Sequence, residues 1–131
     1  MKRTIIFPPG HSAPRGAYSP AIKVETTGAT FLYLTGQLAI DPDGKTVAPD
    51  DVTGQTEYIF TLIGSILEAG GMTFNDVVRA QTYLTDIDEF PKFSAVRDRY
   101  FAENRPASTL LGVKALARPE CVIEIEITAM K

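Results

Sequence analysis

The run Ile123-Glu124-Ile125-Glu126-Ile127-Thr128-Ala129 constrains the fold more than any other part of the chain. Its side chains alternate strictly. In an extended backbone Ile123, Ile125, Ile127 and Ala129 point one way, while Val122, Glu124, Glu126 and Thr128 point the other. Such a segment is a strand with one dry face and a second face on which two carboxylates sit side by side. The dry face must be covered by another layer.

A second pattern supplies that layer. Ile59, Leu62, Ile63, Ile66 and Leu67 recur at helical spacing and make one apolar stripe, so a core helix is expected here. Asp50 or Asp51 stands where a cap begins it, and Gly70-Gly71 offers the left-handed residue that ends it. Phe93, Val96, Tyr100 and Phe101 predict a second helix, with Pro91 in its first turn and Arg105-Pro106 closing it. Strands are expected at Thr4 to Phe7, Ala21 to Glu25, Phe31 to Thr35, Val77 to Leu84, Ser108 to Val113 and Cys121 to Met130. Within Val77 to Leu84 the alternation groups Val78, Ala80, Thr82 and Leu84. Thr27-Gly28 joins two strands, and Pro8 to Pro20 is a loop rich in Pro, Gly and Ser. Asp41-Pro42-Asp43-Gly44 is a turn, without the later oxygen ligands and closing Glu of a calcium loop. The order of elements predicts an α+β fold, a mostly antiparallel sheet with both helices packed on one face.

Two helices leave the other face of that sheet open. Yet Phe31-Leu32-Tyr33-Leu34 and Ser108-Thr109-Leu110-Leu111 carry apolar residues on both sides, as strands buried on both faces do. Left wet, that surface exceeds what soluble monomers tolerate. A homo-oligomer with sheets packed against each other is therefore expected.

Composition removes several classes. The chain has 131 residues, 44% hydrophobic and 22% charged, which suits one domain over residues 1–131. A net charge of −3 lacks the basic surplus of nucleic-acid binders. One Cys and one His build neither an internal disulfide nor a zinc site of nitrogen and sulfur ligands. No apolar run approaches the roughly 20 residues of a membrane helix, and the apolar stretch after Met1-Lys2-Arg3 is too short for a signal peptide. No membrane partner and a cytoplasmic location are expected.

Among residues that could carry chemistry, Glu124 and Glu126 come first. On an open strand face they are merely solvated. Half buried at a subunit boundary, a carboxylate is pushed up in pKa and becomes a general acid, or a base that orients water when ionised. His11, in the Pro-rich loop, reads as a proton shuttle or simply as an exposed side chain. Cys121 reads as an inert thiol among apolar neighbours. There is no G-x-S-x-G elbow, and the separated glycines form no phosphate loop. Tyr18 suits a loop anchor, and Gly36, at a strand end, permits close backbone approach.

Several short motifs in order give a sharper reading: Ala17-Tyr18-Ser19-Pro20-Ala21-Ile22, Leu34-Thr35-Gly36-Gln37-Leu38 with Asp41-Pro42-Asp43-Gly44, and Gln55-Thr56 in the long helix. Ile66-Leu67-Glu68-Ala69-Gly70-Gly71, Asp76-Val77-Val78 and Tyr83-Leu84-Thr85-Asp86 follow, then Pro106-Ala107-Ser108-Thr109 and Ile123-Glu124-Ile125-Glu126. With these the chain resembles, over nearly its whole length, the Rid superfamily, also called the YjgF, YER057c and UK114 family. The resemblance implies a chorismate-mutase-like α+β fold assembled as a homotrimer, with clefts for a small-molecule ligand at the subunit boundaries. In the best-characterised branch it implies hydrolysis of enamines and imines such as 2-aminoacrylate and 2-iminobutanoate to the 2-keto acid and ammonia, without metal or organic cofactor.

By the same resemblance Tyr18 is the pocket tyrosine, Gly36 the backbone contact to the ligand carboxylate, and Glu124 the carboxylate that positions water, with Glu126 secondary. The chain departs from the pattern at Ser108, where the active branch has an arginine that clamps the substrate carboxylate, and at Ser94, where that branch has an Asn. Losing a hydrogen bond to a charged group costs about 1.5–3 kcal/mol, and a hydroxyl reproduces neither the charge nor the fork of a guanidinium. Arg105 and Arg15 are the two residues that could reach the same cleft. The expected function is a Rid-type hydrolase whose substrate differs from a simple 2-imino acid, or on which activity is weakened. The alternative is a trimeric binder of a small metabolite without turnover. Nuclease or translation-inhibitor activity, attached to some relatives, is disfavoured by the acidic balance and the lack of a His pair.

Overall fold

A computed structural model describes residues 1–131. The strands are β1 (Lys2–Ile6), β2 (Ala21–Glu25), β3 (Thr30–Leu34), β4 (Val77–Leu84), β5 (Ala107–Gly112) and β6 (Ile123–Met130), with helices α1 (Val52–Ala69) and α2 (Phe90–Phe101). They form one sheet in the order β1-β2-β3-β6-β4-β5. Every neighbouring pair is antiparallel except β4 and β5. That exception follows from the chain order: α2 lies between β4 and β5, and a helical crossover returns the chain in its original direction.

The alternating C-terminal strand is central, as its dry face demands. β6 pairs with β3 on one side and β4 on the other, placing Ile123 opposite Leu84, Ile125 opposite Thr82 and Ile127 opposite Ala80. These residues are buried under the helices together with Leu32, Ile59, Ile63, Ile66 and Leu67. The alternation expected in β4 holds only from Ala80 onward. A register shift between Val77 and Arg79 buries Val77 and turns Val78 outward, as a bulge does to every residue before it.

Asp51 occupies the N-cap of α1, but its side chain makes no capping bond. Gln55, fully buried, holds the helix start instead: its Nε2 donates to Ala48 O at 3.1 Å and to Glu120 O at 2.8 Å, and its Oε1 accepts from Val122 N at 2.9 Å. This ties the first turn of α1 to the segment that leads into β6. At the far end Gly71 adopts φ +79, a left-handed conformation that costs a residue with a Cβ.

Part of the aromatic content goes into the seam between the helices. Phe60 stacks on Tyr100 with centroids 4.6 Å apart and meets Phe74 and Phe101. The rest stands on the opposite face of the sheet. There Ile5 pairs with Ile22, Ile22 with Tyr33, and Phe31 with Met130, and Ile5, Tyr33, Met130 and Leu111 are 44–55% exposed.

Candidate active site

Glu124 stands on the outer face of β6, directly opposite Tyr83 of β4. The chain after β3 runs beside it. Gln37 bridges Ile125 through two backbone hydrogen bonds, Gln37 N to Ile125 O at 2.8 Å and Ile125 N to Gln37 O at 3.1 Å. The bridge lays Gly36 beneath the Glu124 side chain. A Cβ on Gly36 would collide with Glu124 Oε1 and come within 2.9 Å of its Cδ and 3.1 Å of its Cγ. Only a residue without a side chain allows the carboxylate to lie there.

Glu124, Glu126, Gly36, Thr35, Tyr83 and Leu116 line a cavity of about 470 Å³. Burial pushes the Glu124 carboxyl above the usual carboxylate range, and the neighbouring Glu126 charge adds to the rise. Desolvation and a like charge both favour the protonated form. A half-buried carboxylate of this kind can hold a water molecule when ionised and return a proton when neutral.

Tyr18 approaches Gly36 from the other side. Both line a small recess of about 70 Å³ that also contains His11 and Gln37. The tyrosine is half exposed, and its hydroxyl accepts a 3.4 Å bond from the Arg15 backbone N–H.

His11 is not the exposed loop residue it resembles in sequence. Its Nε2 lies 2.9 Å from Gln37 Oε1 and its Nδ1 lies 2.8 Å from Ser12 O. Gln37 is 2% exposed and its Nε2 donates to Thr35 O at 2.8 Å, which turns its oxygen toward the imidazole. A neutral ring donates to only one of its two oxygen neighbours, a protonated ring to both. His11 thus pins the Pro-rich loop to the strand that carries the site. Sequence reasoning gave no sign of it, because the contact spans the chain from the loop to the end of β3.

Ser108 is elsewhere. It pairs with Ala80, and Ala80 pairs with Ile127, both buried on the helix side. Ser108 and Glu124 therefore point to opposite faces of the sheet, and one chain does not bring them together. Ser108 lines a separate cavity of about 460 Å³ with Arg97, Asp98, Phe101 and Arg105. Arg105 sits at the end of α2, as expected, and also shares this cavity. Arg15 lies against the Asp41 to Gly44 turn, in a groove with Tyr18 and Arg118. Ser94 Oγ turns back on its own helix, donating to Pro91 O at 3.2 Å.

Cys121 is buried, and burial pushes its thiol up, which leaves it a poor nucleophile. No group of His, Cys, Asp and Glu is gathered to hold a metal ion, and no helix is long and apolar enough to cross a membrane. Tyr83 and Leu116 also line the cavity beside Glu124, and no sequence pattern placed either of them there. Their place depends on the pairing of β4 with β6 and on the course of the loop before β6.

Known proteins share this architecture and much of the sequence. The chain is 36% identical over 131 residues to a RutC family protein of Pyrococcus abyssi, covering 100% of this chain and 99% of that one. It is also 36% identical over 131 residues to the 2-iminobutanoate/2-iminopropanoate deaminase of Bos taurus, covering 100% and 92%. Among solved structures, RidA from an Antarctic Psychrobacter superposes with a TM-score of 0.85 at 32% identity, over 96% of this chain and 98% of that one. The YjgF gene product of E. coli gives a TM-score of 0.82 at 25% identity, over 98% of both chains. The sequence profile described as Endoribonuclease L-PSP matches residues 10–131, and with these likenesses the chain belongs to that family, the Rid/YjgF proteins.

Proposed function

We propose that the protein is a Rid-type hydrolase that deaminates a reactive enamine or imine in clefts between subunits, releasing ammonia and a keto product. The observation that carries this reading is the Glu124 carboxylate, half buried, raised in pKa and laid over Gly36 at the edge of a cavity. In the reaction Glu124 holds water and takes a proton from it as the oxygen adds to the imine carbon. The C=N electron pair moves to nitrogen, giving a carbinolamine. That proton passes from Glu124 to the nitrogen, the C–N bond breaks and ammonia leaves, and the hydroxyl oxygen becomes the carbonyl by giving its own proton back to the Glu124 carboxylate. The Gly36 N–H, which makes no hydrogen bond within the chain, is a donor for a substrate oxygen, with Tyr18 as a wall of the pocket. Glu126 holds the local potential negative, which favours a cationic nitrogen. The mammalian relatives named as imine deaminases support the same chemistry.

The assembly in this reading is a homotrimer. Two features favour association: the outer sheet face is apolar at Ile5, Tyr33, Met130 and Leu111, and Ser108 faces away from Glu124, so a cleft holding both needs two chains. The site needs neither metal nor organic cofactor for this reaction.

The experiment couples a threonine dehydratase to the purified protein and follows loss of the imine. Faster loss than with the Glu124→Ala variant is expected. An equal rate overturns the hydrolase reading and leaves the binding protein without turnover, which the neutral Ser108 would suit.

A further inference from the structure

We infer that the groove between the Pro-rich loop and the Asp41 to Gly44 turn is a binding site for a small phosphomonoester, its phosphate held between Arg15 and Arg118. The groove encloses about 550 Å³, and its two arginines meet at one glycine. Arg118 Nη1 donates to Gly44 O at 3.0 Å. Arg15 lies so close to the same residue that a Cβ on Gly44 would come within 2.9 Å of its Nη2. Neither guanidinium has a counter-ion: no Asp or Glu forms an ion pair with Arg15 or Arg118. Of the acidic residues in the turn, Asp41 accepts the Lys45 N–H at 2.9 Å, and Asp43 lines the groove without pairing. Two guanidiniums drawn together on one residue repel each other unless an anion lies between them.

The open donors set the shape of that anion. Arg118 is held through Nη1 alone, which leaves Nη2 and Nε, and the Arg15 side chain makes no hydrogen bond within the chain. A carboxylate has two oxygens on one edge, which a single guanidinium satisfies. A phosphate monoester carries three free oxygens and nearly two charges, and serves two guanidiniums at once. The Ser12 hydroxyl in the same groove is a further donor.

The other lining residues set the rest of the ligand. Pro14, Leu38, Ile40 and the Tyr18 ring give the groove an apolar wall, which free phosphate leaves bare and the carbon skeleton of an ester covers. Ser12, Tyr18, Leu38 and Ile40 also line the recess that contains Gly36, and Gly36 borders the Glu124 cavity. Groove and carboxylate are thus two ends of one path along the chain. In the hydrolase, the phosphate is the far end of the substrate, remote from the imine. Only that last assignment, of the bound ester to the substrate, rests on the proposed function.

The test is a titration of the full-length protein, labelled with nitrogen-15, with phenyl phosphate, sodium phosphate and sodium benzoate. Saturable shifts at the Gly44 and Ser12 amides are expected with phenyl phosphate, with weaker binding of inorganic phosphate and weaker still of benzoate. Arg15→Gln changes an exposed side chain that bonds nothing in the chain, and weakens phenyl phosphate binding roughly tenfold or more. Asp43→Asn removes the like charge beside the anion and tightens it. Unchanged affinity in Arg15→Gln, weaker binding in Asp43→Asn, or shifts that never saturate overturn the site. Benzoate bound as tightly as phenyl phosphate overturns the phosphate assignment, and inorganic phosphate bound as tightly overturns the ester. In the dehydratase-coupled assay, with imine supply held constant, phenyl phosphate is expected to inhibit the parent and to lose that effect in Arg15→Gln. Imine hydrolysis untouched by saturating phenyl phosphate overturns the assignment to the substrate. Binding through Arg15 without imine hydrolysis keeps this site and overturns the hydrolase; hydrolysis without phenyl phosphate binding does the reverse.

Discussion

Replacing Gly36 with Ala separates the site from the fold. The position has no left-handed φ, so the backbone accepts Ala without strain, and the unfolded chain loses some freedom, which alone stabilises by about 0.4–1 kcal/mol. The added Cβ would sit within 2.9 Å of Glu124 Cδ, where ordinary contact begins at 3.4 Å. The carboxyl carbon must retreat by at least about 0.5 Å, and Oε1 by more, as judged from van der Waals contact distances. Because the obstructing atoms end a flexible side chain on a half-open face, the retreat costs little stability. Its effect on a water held by that carboxylate is larger, since misplacing a reacting group by about 1 Å can lower a rate on the order of a hundredfold. Gly36→Ala is therefore expected to melt within about 2 °C of the parent, a shift worth well under 1 kcal/mol for a domain of this size, while imine loss in the dehydratase-coupled assay falls by roughly ten- to a hundredfold. Thermal unfolding and turnover are measured on the same preparation. Full activity in Gly36→Ala, or a melting temperature lowered by 10 °C or more, refutes the reasoning: the first would mean that Glu124 need not lie where it does, the second that Gly36 serves the fold.

Other consequences follow from the same contacts. Glu124 has a folded pKa raised by burial and by Glu126, so the folded chain holds that proton more tightly than the unfolded one. The resulting stability is present below the unfolded Glu value and is lost as pH rises through the folded value; Glu124→Gln removes the loss, and a melting temperature that parallels the parent at every pH would contradict this. Gln55→Ala leaves the Val122 N–H without an acceptor and takes one of two donors from each of the Ala48 and Glu120 carbonyls, which keep the Asp51 and Asp50 N–H groups, and urea unfolding is expected to show a loss of about 2 kcal/mol. Tyr33→Glu puts a charge in the middle of the exposed apolar sheet face; light scattering at micromolar concentration is expected to show an oligomer for the parent and single chains for the variant.

Much of the fold is legible because local periodicity reports burial. The stripe from Ile59 to Leu67 is the buried side of α1, and the Ile123 to Ala129 alternation is the buried side of β6. Ala21–Glu25 and Val77–Leu84 lie where β-forming residues and turn signals put them. The bulge after Val77 was not legible, since nothing in Val77-Val78-Arg79 distinguishes a strand with an extra residue from one without. Nor was the substitution of Gln55 for an Asp51 cap, because the partners of Gln55 include Glu120 and Val122, distant in the chain.

By the family resemblance Ser108 holds the place of an arginine; for the site, the sequence by itself determined that Glu124 and Glu126 share a face and that Gly36 can admit a close neighbour. These are properties of residue type and spacing. Only the tertiary structure decided that Glu124 lies over Gly36, that His11 and Gln37 brace the loop behind Tyr18, and that Ser108 stands with Arg105 on the other side of the sheet. Alternation says which residues of a strand share a side, whereas which strands are neighbours, and so whose side chains meet, depends on long-range pairing that one strand's pattern does not encode.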